Sequence, residues 1–545
     1  MRKILPPAII GLLGTILFVH SLGAVSLFDW DEINFAESAR EMLVTGDFTQ
    51  VQINFLPFWE KPPLFIWMQA LSMYIFGINE WAARFPNAIC GVITLLILWN
   101  FGNQWHSNKM ATWWCFLYAA SFLPHLYFKS GIIDPWYNLF IFCAIHAFFK
   151  QGATPKSLAD HIGWGGLLLG LAVLTKGPVA FLITGLTILV FLLLQKNTYK
   201  YKVSELIVAG VVALLIPSAW LGFGIAKNGM WWINEFVSYQ WRLATTEDAG
   251  HGGFPFYHFV ILLIGCFPAS VLALNFKHIR QEDKDKRQLR LLMLCLLGVV
   301  VVVFSIVKTK ILHYSSLAYF PITYLGAIAI TSWRKENEMP NWNRGLLFTL
   351  GLCWSFVLLL IPLAGNNSSL LKYFAKNDVN FMSNLQANVN WPAYLYIPGI
   401  ALLIMSIYFF HQTRGNRQFM IPLIAFTGTC LLSIQFLITF FIPRIEQYTQ
   451  HAAIEYFRNF AKKDVYVGTL DYKSYAPYFY AQRTPQNSIH DPYNLIMNGS
   501  EKPCYFVSKV SSKNKILKEF GNKLLILDQK NGFILYQAIS SKIEY

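Results

Sequence analysis

The first acidic cluster of this chain is Phe28-Asp29-Trp30-Asp31-Glu32, three carboxylates within four residues just after an apolar run. A carboxylate in that position can take a proton from an attacking hydroxyl. Asp31 and Glu32 are the candidates for that role. Farther along stands Glu60-Lys61-Pro62-Pro63, where the prolines fix the entry to a helix predicted over 64–76. A lysine beside a helix N-terminus makes an anion site. Asp134, in Ser130-Gly131-Ile132-Ile133-Asp134-Pro135, opens another apolar run, and Lys308, Lys310, His313 and Tyr314 open a later one. Ionisable groups at the ends of membrane spans point to function by default. The loop 224–254 holds Arg242, Glu247, Asp248 and His251, the histidine lying among glycines. His251 and Glu60 are of ligand type for a divalent metal ion, but two ligands do not define a site.

Each of these residues also has an ordinary structural reading. Asp29 with Glu32 fits a capping box for a helix over 33–45, stopped by Gly46. Lys61 fits a lysine snorkelling to the interface. Asp134 fits a cap for the helix that Pro135 enters. His251 fits a solvated side chain between glycines.

The elements that must position these residues follow from composition. The chain has 545 residues, of which 55% are hydrophobic and 13% charged. Soluble domains carry about 25% charged residues, so lipid is the simplest solvent for the excess. Apolar runs fall at 7–27, 82–102, 109–128, 132–150, 162–175, 178–195, 203–223, 255–274, 289–307, 312–331, 344–364, 393–411 and 419–441. At ~20 residues per crossing this predicts a polytopic α-helical membrane protein with about thirteen transmembrane helices. Lys176-Gly177-Pro178 divides the run 162–195 into two helices. Arg2 and Lys3 precede the first run, which reads as an uncleaved helix with a cytoplasmic N-terminus. Alternating outward from there puts the Lys/Arg-rich loops inside.

The organisation expected is therefore a transmembrane catalytic domain over 1–443, with a long first outer loop at 27–81. A small α/β extracytoplasmic domain follows over 444–545. Its strands are predicted at 465–470, 505–507, 524–527 and 533–536, after a helix at 446–461. The eight cysteines show no disulfide or zinc spacing, and seven sit in apolar runs. The net charge of +15 resides in short loops between apolar runs. That favours membrane lipids and phosphate-bearing substrates over nucleic acid.

Asp31-Glu32, Ala36-Glu37, Arg40-Glu41-Met42, Gly46-Asp47-Phe48, Glu60-Lys61-Pro62-Pro63-Leu64, Trp67 and Ala83-Arg84-Phe85-Pro86 form an ordered series. Leu174-Thr175-Lys176-Gly177-Pro178, Lys310-Ile311-Leu312-His313-Tyr314 and Pro321 continue it. In order and spacing the series resembles the bacterial aminoarabinose lipid A transferases and the related protein mannosyltransferases, over about residues 1–330. These are GT-C glycosyltransferases of the inner membrane. The resemblance implies an inverting transfer from a polyprenyl-phosphate sugar to lipid A, another glycolipid or a protein hydroxyl. It implies Asp31 as the base, Asp134 as a second acid, and Lys61, Tyr314, Arg242 and Lys310 around the donor phosphate. Glu60 and His251 match positions that hold a metal ion in relatives, although no catalytic metal is implied. A lipid or solute transporter is the alternative of another class.

Overall fold

The computed structural model describes residues 5–29, 31–153, 159–195, 201–245, 252–275, 283–336, 339–374, 377–414 and 418–539. Among the described residues, six helices are long and apolar enough to cross a bilayer: Glu80–Trp105, Val203–Asn228, Lys284–Ile306, Asn341–Asn366, Ala393–Gln412 and Met420–Gln447. Shorter apolar helices fill the bundle between them, including Leu64–Phe76 and Val179–Leu194.

The first helix, α1 (Leu5–Val19), is shorter than its apolar run. At 1.5 Å per residue it rises ~22 Å, less than the ~30 Å of a hydrocarbon core. The chain leaves the helix before Ser21, whose φ is 60°. Proline and polar interruptions break other runs. The run at 109–128 folds as Asn108–Ala119 and Phe122–Tyr127, and the run at 255–274 as Tyr257–Gly265 and Ala269–Ala273. Lys176 ends one helix and Val179 begins the next, with Gly177 between them at φ 111°. That conformation costs least at glycine.

The first loop folds as α2 (Asp31–Thr45), a short hairpin of β1 (Gln52–Ile53) and β2 (Leu56–Pro57), and α3 (Leu64–Phe76). The long helix α4 (Glu80–Trp105) follows. Gly46 and Gly77 terminate α2 and α3 with positive φ. The expected capping box is displaced by one residue. Glu32 Oε2 accepts the N–H of Phe28 (2.8 Å), while Asp29 N–H donates to Gln450 and its Oδ1 accepts from Tyr475 N–H. Asp29 is thus tied to the C-terminal region.

That region forms a four-stranded sheet in the order β3 (Tyr466–Thr469), β4 (Cys504–Lys509), β6 (Phe533–Ala538), β5 (Leu524–Lys530). The β3–β4 pair is parallel and the others antiparallel. The sheet is not a free appendage. Leu27, Ile33, Ala36, Ala39 and Met42 of the first loop share one apolar core with Phe457, Val467, Phe479, Val507 and Leu535.

Two buried polar clusters lock the first loop. In one, Arg84 of α4 donates to both oxygens of Glu32 (2.7 and 2.8 Å) and to the carbonyls of Leu22, Val25 and Ser26. In the other, Arg40 pairs with Glu37 (2.6 Å), and Glu41 accepts the N–H groups of Asn54 and Phe55 in the hairpin turn. Asn54 in turn accepts from Arg483 and Ser488 and donates to Ile489. Burial and the neighbouring Glu37 push the Glu41 carboxyl up to about 9.

Replacing Arg84 with methionine strands the Glu32 charge and leaves three carbonyls short of donors. The expected cost is about 3–5 kcal/mol, the range for breaking a buried pair. It should appear as a lower unfolding temperature in detergent; an unchanged temperature would refute this assignment. Glu41 supplies a pH test. Unfolded, its carboxyl titrates near 4.5. Between about 4.5 and about 9 the folded chain keeps a proton that the unfolded chain has lost, so stability falls as pH rises through that window. Glu41→Gln should flatten this dependence relative to the natural chain, as read by unfolding temperature from pH 5 to 9.

Candidate active site

The first loop, the helical bundle and the segment after β3 enclose a cavity of about 530 Å³. Asp31 and Glu32 reach it from the start of α2, and Glu60 and Lys61 from the turn into α3. Asp134 enters from the head of helix Asp134–Ala153, and Lys176 from the end of helix Trp164–Lys176. Tyr239 and Arg242 come from helix Trp231–Thr245, His313 and Tyr314 from the 3₁₀ turn Leu312–Ala318, and Lys473 and Tyr475 from the segment after β3.

The two aspartates are unequal. Asp134 is only 4% exposed, and its Oδ1 is held by the Lys176 ammonium at 2.5 Å. Asp31 is 39% exposed and faces the cavity. His313 Nε2 stands between them, 3.8 Å from Asp31 Oδ2 and 3.9 Å from Asp134 Oδ2. Asp31 is therefore the carboxylate an incoming group can touch. Asp134 is the fixed charge behind it. The Lys176 ammonium also lies over the Tyr314 ring, 5.2 Å from its centroid, which orients both groups.

A second set of cations lines the same cavity. Lys61 Nζ lies 3.4 Å from the Tyr239 hydroxyl and 5.2 Å from the centre of that ring. The Arg242 guanidinium lies over the same ring, also at 5.2 Å. One tyrosine thus brings two cations together at the cavity wall, a geometry suited to an anion. Burial pulls the Lys61 ammonium down from its ordinary value, and the nearby Asp31 carboxylate opposes that pull. Trp59 packs edge-on against Trp231 at 4.7 Å and joins the lysine turn to the helix bearing Arg242.

Two sequence assignments change. Lys310 does not line the cavity; its ammonium donates to the carbonyls of Phe304, Ser305 and Val307 (3.0, 2.6 and 2.6 Å). These are carbonyls at the end of helix Lys284–Ile306, so Lys310 caps that helix. Glu32 touches the cavity, but its oxygens are taken by Arg84, Phe28 N–H and Gly131 N–H (2.6 Å). It is a positioning residue and not the base. Gly131 lets this contact stay close, because a Cβ would stand 3.2 Å from both Glu32 and Gln69. Glu60 lines the cavity, whereas His251 lies outside the described residues together with Glu247 and Asp248. Among the described residues no three His, Cys, Asp or Glu side chains cluster as metal ligands.

Sequence reasoning passed over Lys176, and gave His313 no role beyond that of an ionisable group at a span end. Both stand in motifs quoted for the family resemblance, and that was the available signal. Tyr239, Lys473 and Tyr475 carry no such signal.

The comparisons with known proteins agree with this geometry. Residues 60–223 match the family model described as dolichyl-phosphate-mannose-protein mannosyltransferase. An undecaprenyl phosphate-α-4-amino-4-deoxy-L-arabinose arabinosyl transferase of Pectobacterium carotovorum is 25% identical over 60% of this chain and 59% of its own length. One of the same name from an Enterobacter species is 27% identical over 80% and 76%. The match to the first of these thus spans about three-fifths of that relative's length. The crystal structure of ArnT from Cupriavidus metallidurans bound to undecaprenyl phosphate superposes with a TM-score of 0.75, over 98% of both chains at 18% identity. The apo form gives 0.76 over 99% of both. The chain has the GT-C fold of these structures, and the resemblance read from its sequence is borne out.

The two lysines give opposite expectations. Lys61→Met should weaken binding of a polyprenyl phosphate by roughly tenfold or more, the worth of one charge-assisted contact. Lys310→Ala should leave that affinity within about twofold and lower the unfolding temperature instead. Affinity measured in nanodiscs, with melting followed in parallel, separates the two; equal losses of affinity would refute the division.

Proposed function

We propose that the chain is an inverting glycosyltransferase of the bacterial inner membrane. It transfers a sugar from a polyprenyl-phosphate donor to lipid A or a related glycolipid on the outer face. One observation carries this reading: a single cavity holds an exposed carboxylate, Asp31, together with the cations Lys61, Arg242 and Lys176.

The donor reaches the cavity laterally, its polyprenyl chain remaining in the bilayer. Its phosphate lies against Lys61 and Arg242, with Tyr314 on the Lys176 side. An acceptor oxygen attacks the anomeric carbon from the face opposite the phosphate, forming the new C–O bond as the sugar–phosphate bond breaks. The electron pair of that bond leaves on the phosphate, where the cations stabilise it. Asp31 takes the acceptor's proton. Asp134, fixed by Lys176, and His313 between the carboxylates set the orientation and local charge around Asp31. The bond energy resides in the donor, so the step needs no nucleotide. The relatives' names supply the first donor to test, aminoarabinose on undecaprenyl phosphate. The protein mannosyltransferase match supports a second acceptor class, a Ser or Thr hydroxyl.

The test is transfer by the purified protein in lipid. Labelled polyprenyl-phosphate sugars are offered with lipid A or a Ser/Thr peptide. Asp31→Asn should lower kcat by about 10²–10⁴ while unfolding like the natural chain. Full activity in Asp31→Asn would remove Asp31 as the base. Movement of the labelled lipid across the bilayer with no new glycosidic bond would replace the reading with that of a transporter.

A further inference from the structure

His313 stands between two carboxylates with different surroundings. Its Nε2 lies 3.8 Å from Oδ2 of Asp31, which faces the cavity, and 3.9 Å from Oδ2 of Asp134, which Lys176 holds. The imidazole lines the cavity at one edge and is otherwise enclosed, with 15% of the side chain exposed. Its place is fixed from behind. The Asn138 amide donates to the Ser316 hydroxyl (2.7 Å), which donates to the His313 carbonyl. Asn138 lies one turn after Asp134 on helix Asp134–Ala153. One helix therefore sets both the fixed carboxylate and the ring beside it.

Four elements bring charged groups toward the ring. They are Asp31 at the start of α2, Asp134 at the head of its helix, Lys176 at the end of helix Trp164–Lys176, and Lys61 in the turn into α3. The Tyr314 ring abuts it edge-on, with 5.5 Å between centroids. The carboxylates favour a proton on the imidazole, and the ammonium groups oppose it. A proton can therefore reach this ring and leave it again.

The transfer step produces such a proton. Asp31 takes it from the acceptor and must lose it before the next turnover. An aspartate carboxyl ordinarily keeps a proton only below about pH 4, whereas an imidazole keeps one up to about pH 6.5. A proton on Asp31 runs downhill to a neutral imidazole once the two come within about 2.6–3.2 Å or share one water. The imidazolium then stands against the Asp134 carboxylate, which Lys176 keeps in place.

We infer that His313 is the proton relay of the site, receiving at Nε2 the proton that Asp31 takes from the acceptor and passing it on to the departing phosphate. The inference rests on the transferase reading above. The acceptor oxygen bonds to the anomeric carbon as the sugar–phosphate bond breaks. Its proton moves to Asp31 Oδ2, then to His313 Nε2, and then through the cavity to the phosphate oxygen that gained the electron pair. A phosphate monoester takes up its second proton near about pH 6, close to the imidazole range. Asp31 and His313 end as they began, and no co-reactant is consumed. His313 acts through Asp31 and is a positioning residue for the proton.

The experiment follows transfer by the full chain in nanodiscs across pH, with His313→Ala, His313→Gln and added free imidazole. His313→Ala should lower kcat about 10²-fold, the lower end for proton-transfer catalysis, and leave donor affinity and acceptor KM unmoved. Free imidazole should restore its rate in a saturable way, which a purely structural loss would not allow. The acid limb of kcat in the natural chain should belong to an imidazole, and in His313→Gln it should move down toward the carboxylate range. Unchanged kcat in both variants would overturn the relay and leave the transferase standing. So would a loss that imidazole does not restore and that keeps the natural acid limb. The natural chain's own acid limb decides the matter if both variants unfold: a limb outside the imidazole range would overturn the relay. No transfer by the natural chain from any donor would sink both readings.

Discussion

The start of the first loop, where Asp31 stands, depends on the buried ion pair between Arg84 and Glu32. Arg84 enters the core on α4 and can be tolerated there only if its donors are met. Glu32 and the carbonyls of Leu22, Val25 and Ser26 meet them. That requirement bends the chain between α1 and α2 around one guanidinium. It also fixes the first turn of α2, and Asp31 is the residue immediately before Glu32. The remaining hydrogen bonds of Glu32 go to Phe28 and Gly131, so the same carboxylate sets the distance to the segment carrying Asp134. The reactive geometry is thus a consequence of satisfying a buried charge.

The rest of the site follows the same division of labour. Acidic groups that are fully engaged serve as supports, and a carboxylate left open to the cavity is available for chemistry. Asp134 with Lys176 and Glu32 with Arg84 belong to the first kind, and Asp31 to the second. Among the basic residues, Lys310 is consumed by a helix end, whereas Lys61 and Arg242 meet over one tyrosine face at the cavity. A binding role therefore turns on what else a side chain is already bonded to. The C-terminal sheet enters the same scheme, because its core is continuous with α2 and its connections supply Lys473 and Tyr475 to the cavity.

The sequence by itself determined the solvent, the helical bundle and the small sheet. Apolar runs of near-span length leave little freedom in lipid, since backbone groups must bond within each helix. Alternating apolar residues placed all four strands of the sheet within two or three residues of where they lie. Gly46, Gly77 and Gly177 marked the ends of their helices, because few other residues take positive φ cheaply. The ordered motifs led to Asp31, Lys61 and Tyr314, and charged residues at span ends and in loops to Asp134 and Arg242, all of which line the cavity. What the sequence could not decide was which of these charges is free. Glu32 and Lys310 look like Asp31 and Lys61 in a linear reading, and only tertiary contacts with Arg84 and the carbonyls of helix Lys284–Ile306 remove them. Nor could it place Tyr239, Lys473 and Tyr475, which come together from segments over two hundred residues apart. Hydropathy and spacing are local properties of a chain. The pairing of buried charges is not, because each pair is chosen by whatever the folded molecule brings within hydrogen-bonding reach.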